Sequence, residues 1–210
     1  MKKTILAAIT LLLMAAPAYA APSVNGSTGL INTPSADVLQ EGQFSLGYYH
    51  LKDGGVGSFT MNVTGKLEVG AAGFRYDSDS SQENHTYVNA KYGLLPETVL
   101  TPGIAVGVED IANVDKRTAY VAASKALPFG FRIHAGVGNG RYDGVFATLE
   151  KTINPVGILT GNNVFPATTL IAEWDGHTMN YGARLAVVPG LKMDVGRRDH
   201  QTYFGASFTY

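Results

Sequence analysis

The sequence predicts an all-β fold, an antiparallel up-and-down transmembrane β-barrel of about twelve strands. Three observations predict it: an export signal at the N-terminus, a hydrophobic period of two residues from Gln43 onward, and a last strand that ends on an aromatic residue. The chain has 210 residues, which is a typical length for one domain. Its 25 Gly and 9 Pro indicate many turns.

The first segment reads as a bacterial signal peptide. Met1, Lys2 and Lys3 give a positive start, an apolar run follows over 5–16, and Ala18-Tyr19-Ala20 gives a small-x-small cleavage site. The apolar run is shorter than the roughly 20 residues that a spanning helix needs. We therefore expect residues 1–20 to be removed after Ala20 and the remainder to be exported to the bacterial outer membrane.

The composition excludes several classes of function. With 16 Lys and Arg against 17 Asp and Glu, the formal net charge is -1, and no basic field is present to attract nucleic acid. The chain has no Cys, and its 5 His lack the short spacings of metal ligands. We expect no cofactor and no metal.

Residues 43–210 are predicted to form the barrel. Short alternating segments are separated by clusters of Gly, Pro, Asn and Asp. The predicted strands are 43–51, 56–64, 67–76, 85–93, 102–109, 117–124, 129–138, 144–151, 167–174, 178–187, 190–198 and 201–210.

Each strand has one apolar face and one face of small and ionised residues. In the seventh strand, for example, Phe131 and Ile133 alternate with Arg132 and His134. An apolar face suits lipid, and a crowded polar face suits the inside of a barrel. The alternative is an exported soluble β-sandwich, in which the apolar face would be the core.

The register of these strands predicts the ionisable side chains that face the lumen. They are Glu68, Lys91, Glu109, Arg132, His134, Glu150, Glu173, Arg184, Lys192, Asp194 and Arg198. Both signs of charge are present and nearly balanced. These residues either line a polar pore or a wall that contacts saccharide, or they pair across neighbouring strands and fill the lumen.

The last strand alternates up to the final residue. Phe204, Phe208 and Tyr210 share one face, which is typical of the C-terminal signal read by the outer-membrane barrel assembly machinery. Trp174 is expected to join an outward aromatic girdle, while its neighbour Glu173 faces inward.

The connections between strands differ in composition according to the end of the barrel at which they are predicted to lie. Polar loops follow the odd-numbered strands, and several turns that contain proline follow the even-numbered strands, which is typical of external loops and periplasmic turns. The long connection 152–166 is the exception, because barrels usually have short turns on the periplasmic side. Ten and fourteen strands are therefore the alternative counts. Twelve strands would give a backbone radius on the order of 12 Å.

Three stretches resemble the YjbH family of outer-membrane β-barrel proteins associated with exopolysaccharide production. They are Gly29-Leu30-Ile31-Asn32-Thr33-Pro34-Ser35-Ala36-Asp37-Val38-Leu39 with Glu41-Gly42, then Lys91-Tyr92-Gly93-Leu94-Leu95-Pro96 running into 102–110, then Ala172-Glu173-Trp174-Asp175-Gly176 with 180–184 and 189–191. The resemblance implies a barrel that works beside a polysaccharide export or modification system, with no catalytic residues. The better-known members are longer, so this chain resembles a short, barrel-only form.

Residues 21–42 do not alternate. Thr33 as N-cap, Pro34 at the first helical position and Ser35 to Leu39 predict a short helical turn. The segment is expected to lie in the periplasm or to plug the barrel, and a simple tether into the first strand is the alternative.

The predicted function is that of a non-enzymatic outer-membrane barrel that supports exopolysaccharide-related export or the passage of small polar solutes. Ser124, His134 and Asp194 are types found in hydrolase sites, but no spacing ties them together. The alternative is a structural or partner-binding membrane scaffold with a filled lumen. The expected partners are outer-membrane lipid, the assembly machinery, and polysaccharide or its export proteins, with no nucleic acid.

Overall fold

The computed structural model describes residues 20–154 and 167–210, and these form a closed antiparallel barrel of twelve strands. Each strand pairs with the next along the chain, and the first pairs with the last. The predicted fold class is confirmed, and the strand number is twelve. Nearly all of the predicted signal peptide, and most of the long connection 152–166, lie outside the described residues.

The strands are β1 (Phe44–Leu51), β2 (Gly54–Asn62), β3 (Leu67–Tyr76), β4 (His85–Leu95), β5 (Gly103–Glu109), β6 (Thr118–Ala126), β7 (Phe131–Gly138), β8 (Gly144–Ile153), β9 (Ala167–Trp174), β10 (Met179–Val188), β11 (Leu191–Arg198) and β12 (Gln201–Thr209). A short 3-10 turn, Pro128–Gly130, joins β6 to β7. The predicted strands match these closely, because alternation and turn residues are local signals.

The barrel closes where β1 meets β12. Ser45 lies opposite Thr209, and His50 lies opposite Phe204. At the start of β1 and just past the end of β12, the backbones of Phe44 and Tyr210 exchange two hydrogen bonds, of 3.2 and 2.9 Å. Closure leaves no unpaired strand edge, as a barrel in lipid requires.

The two faces of the sheet have opposite chemistry. Phe59, Val137 and Phe204 belong to a set of large apolar side chains exposed on the outer surface, whereas the inward-facing Glu68 and Glu173 are buried. A soluble sandwich would bury its apolar face, and here that face is the outside of the barrel. Among the described residues, no helix is long and apolar enough to cross a membrane.

Residues 21–39, which we call the inner segment, lie inside the barrel. All of them are buried except the half-buried Asp37 and Val38. Two isolated β-bridges, Pro22 with Thr28 and Gly29 with Pro34, fold the segment into two consecutive turns.

The helical turn predicted after Thr33 is wrong. The backbone N–H groups that would close it are used elsewhere: that of Ala36 donates to Ser124 Oγ at 2.8 Å, and that of Leu39 to Glu68 at 3.3 Å. The bridge to Gly29 also holds Pro34 in extended pairing. Contacts with the barrel wall therefore replace the hydrogen bonds of a helix.

The barrel has two distinct ends. The terminal end carries the start of β1, the end of β12 and the turns after even-numbered strands, and the loop end carries the connections after odd-numbered strands. The inner segment joins β1 through 40–43 at the terminal end.

Candidate functional site: the occupied lumen

Glu173 of β9 binds three consecutive backbone N–H groups of the inner segment. Its two carboxylate oxygens accept hydrogen bonds from the N–H of Ile31 at 3.0 Å, Asn32 at 2.8 Å and Thr33 at 3.1 Å. The Thr33 hydroxyl donates to the same carboxylate at 2.8 Å. Successive N–H groups that converge on one anion form a nest, so this wall carboxylate takes the place of a bound anion.

Glu68 of β3 holds the first turn of the inner segment in a similar way. Its carboxylate accepts hydrogen bonds from the Thr28 N–H at 2.9 Å and from the Thr28 hydroxyl at 2.8 Å. Lys91 lies opposite Glu68 on β4, at 3.3 Å, and its ammonium donates to the Thr28 carbonyl at 2.8 Å. The ion pair and the segment therefore form one buried network.

Arg184 of β10 binds carbonyl groups of the inner segment. Its Nη1 and Nη2 atoms donate to the carbonyls of Gly29 and Leu30, both at 3.1 Å. Its Nε donates to Asp194, which lies opposite it on β11, at 2.6 Å. Asp194 thus fixes the guanidinium that holds the backbone.

A row of three side chains crosses β6, β7 and β8 beneath Ala36. Ser124 Oγ lies 2.7 Å from His134 Nδ1, and His134 Nε2 lies 3.1 Å from Glu150 Oε2. Ser124 and His134, which the sequence could not connect, do meet, with Glu150 rather than Asp194 as third member. Both are buried, and the N–H of Ala36 covers the hydroxyl.

Arg132 of β7 lies where the segment leaves the lumen at the terminal end. Its Nη2 atom donates to Asp37 of the segment at 2.6 Å and to Glu97 at 2.8 Å. This ion-pair cluster is more exposed than those deeper in the lumen.

Asn32 connects the second turn to the loop end. Its side-chain amide donates to Asp175 at 2.8 Å, and its side-chain oxygen accepts from Arg198 Nε. Its carbonyl accepts from the hydroxyl of Tyr142, which also donates to Glu109 at 3.0 Å. A cavity of about 260 Å³ opens above these residues at the loop end.

Asp175 follows β9 directly and lies in a loop. Burial alone would raise the pKa of its carboxyl, but hydrogen bonds from the N–H groups of His177 and Thr178 and from the side chains of Asn32 and Asn180 outweigh burial and lower the pKa. The ionised form of Asp175 therefore favours the folded loop end.

The predicted ionisable residues lie in the barrel wall in three groups. Those with a hydrogen bond to the inner segment are Glu68, Lys91, Arg132, Glu173, Arg184 and Arg198. Those that contact another residue of these networks are Glu109, His134, Glu150 and Asp194. Lys192 lies on β11 opposite Ser207.

Sequence reasoning missed the neutral side chains that bind the inner segment. Tyr49 donates to the carbonyl of Pro22 at 2.6 Å, Asn89 to that of Asn25 at 2.7 Å, and Asn62 to that of Leu39 at 2.5 Å. These three residues occupy inward-facing positions in the alternating strands, and an uncharged polar side chain at such a position was the signal in the sequence that could have identified them.

Comparison with known proteins agrees with this architecture. The model of the YjbH family, described as "Exopolysaccharide biosynthesis protein YbjH", matches residues 22–157, which include most of the inner segment. The chain belongs to the YjbH family. A search of curated proteins gives no match.

A solved structure of the KdgM porin in complex with disordered oligogalacturonate has the same fold. It superposes with a TM-score of 0.53 and 13% sequence identity, over 80% of this chain and 98% of the porin chain. The YjbH-family chain is thus a barrel of porin-like fold. Among its described residues, no group of three His, Asp or Glu is arranged to hold a metal ion.

Proposed function

We propose that this chain is a non-enzymatic outer-membrane barrel with an exopolysaccharide-related role, in which the inner segment is a plug that closes the lumen. The observation that carries the proposal is the capture of three backbone N–H groups by Glu173 inside the barrel. In this state the charged wall is occupied by the chain itself, so passage of a saccharide or a small polar solute requires the plug to move.

Location in the outer membrane is supported by the exposed apolar belt and the porin-like fold. In this proposal the signal peptide is removed after Ala20, the terminal end faces the periplasm and the loop end faces outward. The partners are membrane lipid, the assembly machinery that reads Phe204, Phe208 and Tyr210, and a polysaccharide or its export proteins.

The row Ser124, His134 and Glu150 supports a structural role rather than catalysis. The Ser124 hydroxyl accepts a hydrogen bond from the Ala36 N–H at 2.8 Å, and both Ser124 and His134 are buried beneath the plug. A nucleophile needs access to a substrate and a group that stabilises the developing negative charge. The contacts of these residues serve to fix the plug instead.

A second candidate function is a permanent scaffold with a filled lumen. It is favoured by the number of buried polar contacts that join plug and wall, including the networks around Glu68 and Arg184. The two candidates differ in whether the plug ever leaves.

A disulfide between plug and wall separates these functions. The hydroxyl oxygens of Thr33 and Thr148 lie 3.0 Å apart, and the chain has no native Cys, so the double variant Thr33→Cys/Thr148→Cys offers one defined cross-link. We expect conductance across a planar bilayer to be present under reducing conditions and lost on oxidation. The two single variants, treated with the same oxidant, are the controls.

Deletion of residues 22–39 gives the complementary measurement. Without the plug, a barrel built for passage should conduct continuously and select ions according to its exposed wall charges. A refolded, plug-free barrel that does not conduct would exclude passage through this lumen. Conductance only after deletion, with none from the reduced double-cysteine variant, would favour the scaffold.

A further inference from the structure

Two neighbouring turns at the terminal end expose large apolar side chains at their tips. In the turn between β4 and β5, Val99 and Leu100 are 79% and 89% exposed, and in the turn between β6 and β7, Phe129 is 87% exposed. The turn between β2 and β3, at the same end, carries the polar run Thr64-Gly65-Lys66. Among the turns that the structure describes at this end, these two neighbouring turns therefore carry the large, strongly exposed apolar tips.

Most backbone polar groups of the first turn have hydrogen-bond partners within the protein. Lys125 Nζ donates to the carbonyls of Thr98 and Val99 at 2.6 and 2.9 Å. The Thr98 side chain accepts from the N–H of Leu100 at 3.3 Å and of Thr101 at 3.0 Å. A turn in an apolar environment requires such internal partners. The polar turn Thr64-Gly65-Lys66 also has them, since the Thr64 N–H donates to Asn62 at 3.1 Å and the Lys66 carbonyl accepts from the Gly93 N–H at 2.9 Å, so the apolar tips are what distinguish the first turn.

The second turn has the same design. Lys151 Nζ donates to the carbonyl of Phe129, and the N–H of Leu127 donates to the carbonyl of Phe131 at 2.8 Å. Phe129 itself has a φ of 63°, a conformation that is unfavourable for a bulky residue. The turn thus keeps a large ring at its tip despite an unfavourable backbone.

Glu97 ties the two turns into one unit. Its carboxylate accepts from the N–H of Ala126 at 2.6 Å and from Arg132 at 2.8 Å, and it lies 3.6 Å from Lys125. The tips of both turns are therefore held in fixed relation to each other and to the barrel.

We propose that Val99, Leu100 and Phe129 form a lipid anchor that lies in the headgroup region of the phospholipid leaflet at the terminal end. Apolar side chains above a satisfied backbone fit the boundary between headgroups and acyl chains. Lys125 and Lys151 hold long stems beneath the tips, and their ammonium groups bind carbonyls of the two turns. The inference rests on the proposed location in a membrane.

The lipid anchor would fix the orientation of the barrel in the bilayer. The two turns with apolar tips would then sit deeper in the leaflet than the turn of Lys66. A periplasmic protein or a second copy of this chain is the competing occupant, and fluorescence quenching distinguishes these occupants from lipid.

The test places a single tryptophan in each turn. Trp174 is the only Trp in the chain, so Trp174→Phe provides a background without Trp fluorescence. Leu100→Trp, Val99→Trp and Phe129→Trp are made in that background, with Lys66→Trp as the matched control at the same end. A heat-dependent shift in electrophoretic mobility selects the variants that have folded.

The folded variants are reconstituted in phosphatidylcholine vesicles with and without bromine near the top of the acyl chains. We expect bromine to lower the fluorescence of the three anchor variants about twofold and to leave that of the Lys66→Trp variant unchanged. Full fluorescence from the anchor variants, with strong quenching by aqueous iodide, would overturn the anchor in favour of water exposure. Protection from both quenchers would overturn it in favour of a protein contact.

Bromine quenching of Trp174 in the unsubstituted protein distinguishes rejection of the lipid anchor from rejection of the membrane location. Trp174 lies at the loop end on the outer surface and is 40% exposed, so bromine should quench it in any membrane-embedded barrel. Quenched Trp174 with unquenched anchor variants would reject the anchor alone. Unquenched Trp174 would reject the membrane location itself.

Discussion

Thr33 is held by Glu173 through both its backbone and its side chain, at 3.1 and 2.8 Å. The two residues are 140 positions apart in the chain. This contact joins the inner segment to the ninth strand, and the same carboxylate also binds the N–H groups of Ile31 and Asn32. Four hydrogen bonds from the inner segment thus converge on this one side chain.

Replacing Glu173 by Gln should loosen this turn. A glutamine has one acceptor oxygen instead of two, so buried N–H groups of 31–33 lose partners, at about 1–3 kcal/mol for each. We expect amide hydrogen exchange at 31–33, followed by mass spectrometry, to become at least about tenfold faster. Glu83→Gln, at an exposed loop position, is the control. Unchanged protection of 31–33 would mean that Glu173 does not hold the segment.

The pair Arg184 and Asp194 predicts a non-additive effect on stability. Arg184→Met leaves Asp194 buried without its cation, which should cost about 3–5 kcal/mol. The temperature at which the folded electrophoretic band is lost should fall markedly. Arg184→Met/Asp194→Asn should recover part of that fall, and Arg75→Met, on the exposed part of β3, should change little. Asp194→Asn alone completes the cycle, and a loss in the double variant equal to the sum of the two single losses would show that the pair is not coupled.

Asp175 predicts how the loop end responds to acid. Because hydrogen bonds lower its pKa in the folded protein, its stabilising effect is complete above the unfolded pKa of roughly 3.9 and disappears as the pH falls through the folded pKa. The stability lost in Asp175→Asn should therefore be constant at neutral pH and shrink below about pH 4. Urea unfolding of both proteins at several pH values measures this. If the difference in unfolding free energy between the two proteins grew as the pH fell, it would contradict a lowered pKa for Asp175.

Deleting Tyr210 should weaken closure of the barrel. The residue makes two backbone hydrogen bonds with Phe44, and its ring lies 5.7 Å from the Phe44 ring. We expect a smaller folded fraction in the outer membrane, judged by heat-dependent mobility. Tyr210→Phe, which retains the backbone and the ring, should assemble normally. Normal assembly of the truncated chain would argue against a role for Tyr210 in the assembly signal.

The strands could be predicted because their signals are local. Alternation assigned Glu173 and Trp174 to opposite faces, and the structure has the first buried and the second exposed. The sequence assigned Glu68, Lys91, Arg184 and Asp194 to the lumen without naming pairs, and the structure places Glu68 opposite Lys91 and Arg184 opposite Asp194 on neighbouring strands.

The path of the inner segment could not be predicted in this way. Its hydrogen bonds join backbone groups to side chains far away in the sequence, as between Ala36 and Ser124, and such contacts leave no periodic pattern. Local propensity favoured a helix after Thr33, and hydrogen-bond acceptors of the wall, Ser124 and Glu68, overrode it. The contacts among Ser124, His134 and Glu150 could not be predicted for a related reason, because they depend on the exact register of three strands.

The wall recognises mainly main-chain atoms of the inner segment. Tyr49, Asn89 and Arg184 bind its carbonyls, and Glu173 binds its N–H groups. Recognition of this kind depends more on the shape of the chain than on its side chains, although Thr28, Asn32 and Thr33 add side-chain contacts. A separate peptide able to adopt the same two turns should therefore enter an emptied barrel and restore its seal, even where its residue types differ from those of the native segment.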